Sequence, residues 1–231
     1  MSLPALGTWP LALSLFVATL ATLCALLVGL PLAWLLARRR FRGRAVLEVL
    51  VLLPMVLPPT VIGYYLLLGV GRRSTLGAWY ESVMGAPLVF TPAAAVLATF
   101  VAAAPFLVRA AQGGFEQVDA SYEDAARTLG RSEWSIFLTV TTPLAWRGIL
   151  AGTALCFARA MGEFGATLML AGNIPGRTQT ASLAVYDAVQ AGDFARASRL
   201  AILLSVMTGV ALWALTRAGR APSDPSREPP R

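Results

Sequence analysis

The chain is 231 residues long, with 57% hydrophobic and 13% charged side chains, where a soluble globular domain carries roughly 25% charged residues. That balance excludes an ordinary water-soluble fold and places most of the chain in a bilayer. The formal net charge of +7 rests on 19 basic residues, all of them arginine, and a phosphate-cradling P-loop, which needs a lysine after its glycines, is therefore ruled out.

In chain order, Met1 to Ala37 carries no charged side chain, and a helix needs only ~20 apolar residues to cross the hydrocarbon layer. The stretch lacks the basic start and the short apolar core of a cleaved signal, so a retained helix is expected. Further uncharged or nearly uncharged runs follow: Ala45–Gly71 with Glu48 alone, Phe90–Val108, Gly148–Gly172 with Arg159 and Glu163, and Leu200–Thr216. The reading is five transmembrane helices at about 11–37, 45–70, 90–110, 148–172 and 199–217, in one membrane domain of residues 1–218. The proline-rich segment 219–231 has no apolar run and is expected to be disordered.

Arginine near span ends is retained on the cytoplasmic side. Residues 38–44, 109–147 and 217–231 hold thirteen arginines, against five in 70–89 and 173–199. An outside N-terminus and a cytoplasmic C-terminus follow, as an odd number of spans requires. The cluster Arg38, Arg39, Arg40, Arg42 and Arg44 reads as a topology anchor beside anionic lipid, not as a nucleic-acid surface.

Two features lie within spans. Pro54, Pro58 and Pro59 interrupt the second and remove backbone donors. Broken backbone at membrane depth persists only against protein or a water-filled cavity, so this is either a pathway wall, with Thr60 beside it, or a packing kink. Arg159 and Glu163 lie four residues apart on the fourth span, where charges face the bundle interior and pair. They read either as a structural ion pair or as positive potential on an anion pathway, with Glu163 restraining Arg159. Gly162 and Gly165 suit close helix contact at a subunit interface. Cys24 and Cys156 sit inside spans as small hydrophobes, and with no histidine in the chain neither a disulfide nor a metal site is expected.

The longest polar segment, about 113–145, joins spans three and four. Phe115, Val118, Tyr122, Ala126 and Leu129 recur at helical spacing, predicting one apolar face. Gly130 suits a left-handed stop, and Ser132 suits the cap of a second short helix with Glu133 in its first turn. Pro143 ends that regularity before the fourth span. The pattern is a helix-turn-helix, either covering the bundle ends as an interfacial hairpin or docking a partner.

The segment resembles the cytoplasmic signature of ABC importer permeases: Glu-Ala-Ala, three residues, Gly, nine residues, Ile, one residue, Leu-Pro. Here it runs Asp124-Ala125-Ala126, Gly130, Val140 and Thr142-Pro143, with Glu123 adjoining and three types departing at matched spacing. From about Leu11 to Trp213 the chain also resembles the molybdate branch of these permeases. The stretches that carry this are Leu53 to Leu67, Gly71-Arg72-Arg73, Ala158 to Thr167, and Asn173-Ile174-Pro175-Gly176-Arg177-Thr178. The resemblance implies a type I importer permease fold and a subunit with no catalytic residues, cofactor or metal of its own. It implies a bacterial inner-membrane complex of two permease copies, two cytoplasmic ATPase subunits that use the ATP, and an external oxyanion-binding protein. Glu123, Asp124, Ala125, Ala126, Gly130, Val140 and Pro143 would form the coupling surface; Pro58, Pro59, Thr60, Arg159, Glu163 and Gly165 are pathway candidates. A sulfate or thiosulfate permease is the nearest rival. A secondary carrier is a more distant one, since such folds show internal repeats.

Overall fold

The structure, a computed structural model, describes residues 8–218; the segment 219–231 lies outside them. All regular structure in the described residues is helical. Helix α1 (Thr8–Arg38) is followed, after Gly43, by α2 (Arg44–Val56) and α3 (Pro59–Val70).

Between α2 and α3 the chain turns by 119°. The cause is local: Leu57 and Pro58 each precede a proline, whose ring disfavours the helical region for the residue before it, and their ψ angles are 143° and 136°. The interruption expected of the second span is a full break at Pro58-Pro59, while Pro54 is accommodated inside α2.

Helix α4 (Thr75–Met84) is capped by Ser74, whose hydroxyl accepts from Gly77 N–H. Helix α5 (Pro92–Glu116) opens with Thr91 as cap and Pro92 at its first position. It is the centre of the bundle: Ala94, Ala98, Ala102, Leu107, Ala111 and Phe115 are all buried, and α1, α9 and α10 pack on it. Mutual approach at Gly114 and Gly148 brings α5 within backbone contact of the helix that starts at Trp146.

On one side of the bundle follow α6 (Ala120–Thr128), α7 (Glu133–Ile136), one π turn (Phe137–Thr141) and α8 (Thr142–Leu144). Helices α9 (Trp146–Met161) and α10 (Gly165–Ala171) form a second broken pair, bent by 60°. Then come α11 (Ala181–Gln190) and α12 (Phe194–Ala218). Helix α12 begins at Phe194, ahead of the apolar run expected from residue 199, because Asp193 caps it by accepting from Arg196 N–H.

Three helices, Trp9–Arg38, Pro92–Glu116 and Phe194–Arg217, are long and apolar enough to cross a membrane, and the two bent pairs bring the number to as many as five. The most apolar stretch of α5 is 56% buried and that of α12 only 6%, so α5 is a core helix and α12 presents its apolar surface outward.

Candidate functional site: a docking loop and a broken-helix crossing

The loop is built outward from a buried carboxylate. Glu123, on α6, is 2% exposed. Its Oε1 accepts from Thr141 Oγ1 at 2.8 Å and lies 2.9 Å from Arg38 Nε, while Oε2 lies 3.5 Å from Arg127 Nη2. Asp124 points the other way, to solvent, and meets Arg127 Nη1 at 2.6 Å. Arg127 also donates through Nε to Glu133 at 2.7 Å, joining α6 to α7. That hydrogen bond holds the Glu133 carboxyl below the usual carboxylate range, against the opposing effect of burial, and nearby Arg39 adds to it.

The turn between the short helices is the predicted one. Gly130 has φ +78°, a region where a Cβ is strained. Arg131 N–H reaches back to the Ala126 carbonyl and Gly130 N–H to that of Arg127, closing the turn as a Schellman-type stop. Ser132 caps α7 by accepting from Ser135 N–H.

The apolar face is not the predicted one. Phe115 belongs to α5, and the chain turns at Gln117–Asp119, where Asp119 caps α6 by accepting from Ser121 N–H. The turn resets the helical phase. Ala126 therefore packs inward with Glu123, whereas Tyr122 (58% exposed) and Leu129 (82%) face out, beside exposed Ala125 and Gly130. Val140 is half-buried in the π turn, and Pro143 is exposed in α8. The wider π turn is accommodation for Pro143, which has no N–H to continue an α ladder. Thr142 Oγ1 is buried without a hydrogen-bond partner among the described residues, so the leucine of the family pattern would sacrifice no hydrogen bond there.

The second constellation lies where the two broken pairs meet. A Cβ on Gly165 would stand 2.9 Å from Pro59 Cβ and 3.1 Å from Thr60 N, and one on Gly63 would stand 2.6 Å from Met169 Cβ. Pro59, Thr60 and Gly165 are thus one contact, between α3 and α10 of the same chain, with Pro58 as the residue before α3. A Cβ on Gly162 would meet only its own helix's carbonyl oxygens, at 3.9 Å.

Glu163 sits in the break after α9, not on the helix as expected. Its Oε1 accepts from Ala166 N–H at 2.8 Å, capping α10, and its Oε2 makes a 2.7 Å ionic contact with Arg159 Nη2. The two side chains differ in access: Glu163 is 1% exposed and Arg159 26%. The Arg159 side chain, near the end of α9, thus keeps partial access while its partner carboxylate has almost none.

Three polar attachments escaped the sequence reading. Thr141 gives no local sign of its bond to Glu123, 18 residues away. Ser14 Oγ accepts from Ala181 N–H, tying α1 to α11. In the turn after α10, the Ile174 carbonyl accepts from the N–H groups of Arg177, Thr178 and Gln179. That turn buries Thr178 and exposes only Pro175, Gly176 and Arg177. A signal did exist for Gln112, a lone amide in an apolar helix: buried, it donates to Glu116 at 3.0 Å and to Glu48 at 3.4 Å.

Residues 29–219 match the family described as binding-protein-dependent transport system inner membrane component. The chain is 44% identical over 201 residues to the molybdenum transport system permease protein ModB of Escherichia coli K12, covering 87% of this chain and 88% of that one. It is 43% identical over 185 residues to the putative molybdenum transport system permease protein YvgM of Bacillus subtilis, covering 80% and 81%. Among solved structures, the fold matches an inward-facing MetNI methionine ABC transporter with a TM-score of 0.74 at 16% identity, over 96% of this chain and 100% of the other. A bacterial alginate ABC transporter, in complex with its pentasaccharide-bound periplasmic protein, matches with 0.74 at 13%, over 92% and 78%. Matched by its family over most of its length, and matching these two relatives over more than four fifths of theirs, the chain belongs to the binding-protein-dependent transport system inner membrane components.

Proposed function

We propose that this chain is the permease subunit of an ATP-driven ABC importer that carries molybdate across the cytoplasmic membrane. The observation that carries the substrate is the 44% identity, over 87% of the chain, to a molybdenum transport permease. The complex is two copies of this chain, two cytoplasmic ATPase subunits and an external oxyanion-binding protein. The N-terminus lies outside and the loop 113–145 inside, as the arginine distribution favours.

ATP is bound and hydrolysed by the partner. This chain's part is mechanical and electrostatic. Its docking face is Tyr122, Asp124, Ala125, Leu129 and Gly130, where a small side chain and a left-handed glycine let a partner's backbone approach. Closure of the ATPase pair pulls on that face and changes which side the pathway opens to.

The pathway runs past the meeting of the broken helices. The partly exposed Arg159 side chain supplies positive potential for a tetrahedral dianion; Glu163 neutralises part of it and keeps the site from binding too tightly, since a pathway must release what it admits. The Pro58-Pro59 break and Gly165 leave backbone groups of the same region free of a helical ladder.

The decisive substrate experiment is calorimetry on the binding protein encoded beside this chain. Tight heat-releasing binding of molybdate, with sulfate silent at equal concentration, is expected. Binding of sulfate with molybdate silent would transfer the assignment to a sulfate importer.

A further inference from the structure

Arg38 ends α1 and Arg39 follows it, both in a five-arginine cluster, yet the fold uses them differently from Arg40, Arg42 and Arg44. Arg38 is 14% exposed; besides its 2.9 Å contact to Glu123 Oε1, its Nη2 donates to the Val118 carbonyl at 2.6 Å. Arg39 lies 2.9 Å from Glu133 Oε2 and 5.9 Å above the ring of Trp34. Trp34 in turn meets Phe137 of the π turn at 5.3 Å. Both short helices of the loop are thus held to the last turn of α1, one through a buried ion pair and the other through an exposed one. Ala33 and Leu36 of α1 share a buried cluster with Phe115 and Phe137 behind them. The loop also continues into α9 through the π turn and Pro143.

We infer that Arg38 and Arg39 are positioning residues that fasten the coupling loop to α1, so that loop and first membrane helix move as one body when the ATPase closes. A topology anchor needs only charge; a fastener needs Glu123 nearly sealed from water with Thr141, Arg38 and Arg127 converging on it, and that is the arrangement observed. The inference rests on the proposed docking of this loop to an ATPase.

Two experiments on the reconstituted complex of permease, ATPase and binding protein test it. In the first, Glu123→Gln, Arg38→Gln and the conservative Arg38→Lys are compared for ATPase co-purification, ATP hydrolysis and molybdate carried per ATP. The two glutamine variants should retain the ATPase and lose about fivefold or more in molybdate per ATP, the lower range of a coupling between two sites, and Arg38→Lys should recover most of it. An unchanged ratio, whatever the absolute rates, overturns the proposal.

In the second, Arg39→Cys and Glu133→Cys are introduced after Cys24→Ala and Cys156→Ala, and the two thiols are joined by a short bismaleimide. The unlinked double cysteine variant lacks the Arg39–Glu133 contact and the Glu133 end of the Arg127 clasp but keeps the buried Arg38–Glu123 pair, and it serves as the reference for its linked form. The linked complex should import at no less than half the rate of the unlinked one. A linked complex that stalls shows that α1 and the loop must move apart, and refutes the inference even if the first set of variants fails to fold. Absence of ATP-dependent uptake by the complex that retains Arg39 and Glu133 would instead count against the importer reading itself.

Discussion

At the scale of single residues, the arrangement around Glu163 makes the two halves of its ion pair unequal. Arg159→Gln leaves a carboxylate 1% exposed with only the Ala166 N–H to satisfy it, a loss of roughly 1–3 kcal/mol. Glu163→Gln keeps an acceptor for that N–H and strands only a guanidinium that already reaches solvent, so its loss should be smaller, roughly 0.5–1.5 kcal/mol. The double substitution should cost less than the two singles added, because they share one interaction. Thermal unfolding of the purified permease checks the order and the coupling; additive losses would separate the two residues. The nearby glycines differ as sharply. Gly165→Val should destabilise by about 1–3 kcal/mol through overpacking against Pro59 and Thr60, while Gly162→Ala, with nothing nearer than 3.9 Å, should stay within ~0.5 kcal/mol.

At the scale of elements, the loop between α5 and α9 contains a hairpin closed by Gly130 and clasped by Arg127. An alanine at 130 would meet nothing within 4 Å in this chain, so Gly130→Ala should cost about 1–2 kcal/mol of backbone strain and leave the permease inserted. Gly130→Asp adds a charge on the docking face and should abolish ATPase co-purification; retained co-purification with full ATP hydrolysis would remove the face from the docking assignment. The clasp is also acid-sensitive in a defined direction. Because Arg127 holds the Glu133 carboxyl below its ordinary range, the folded form is favoured at all pH above a free glutamate's pKa, and the contribution disappears as pH falls through the depressed value. Amide hydrogen exchange over residues 127–137, corrected for intrinsic rates, should be level from pH 8 to 6 and rise below about pH 4.

This is also the scale at which the sequence was read least well. The stop at Gly130, the cap at Ser132 and the interruption at Pro58-Pro59 were legible because each is a local backbone requirement of one residue type. The helix phase from Phe115 to Leu129 was not, because Asp119 recaps the chain and restarts the periodicity. Nor was the burial of Glu123, whose partners come from α1 and from the π turn; a bond between residues distant in sequence leaves no trace in spacing.

At the scale of the molecule, apolar run lengths placed the long helices, and the family signature identified the type I importer permease fold. The short helices α4, which packs on α3, and α11, which packs on α12 and α1, answer to tertiary partners that apolar run length does not mark. Orientation is directly testable in cells. With Cys24→Ala and Cys156→Ala in place, Arg177→Cys, on the exposed tip after α10, should be labelled by an impermeant external thiol reagent, and Ser132→Cys should be protected; the opposite pattern inverts the topology.

The central claim is that this chain imports molybdate by coupling to a separate, cytoplasmic ATPase. Its most direct test is uptake of radiolabelled molybdate into proteoliposomes containing the permease and its ATPase, with molybdate-loaded binding protein supplied on the outside. Uptake should require ATP within the lumen, vanish with Gly130→Asp, and resist excess sulfate. Uptake that proceeds without ATP, driven by an ion gradient alone, would contradict the account.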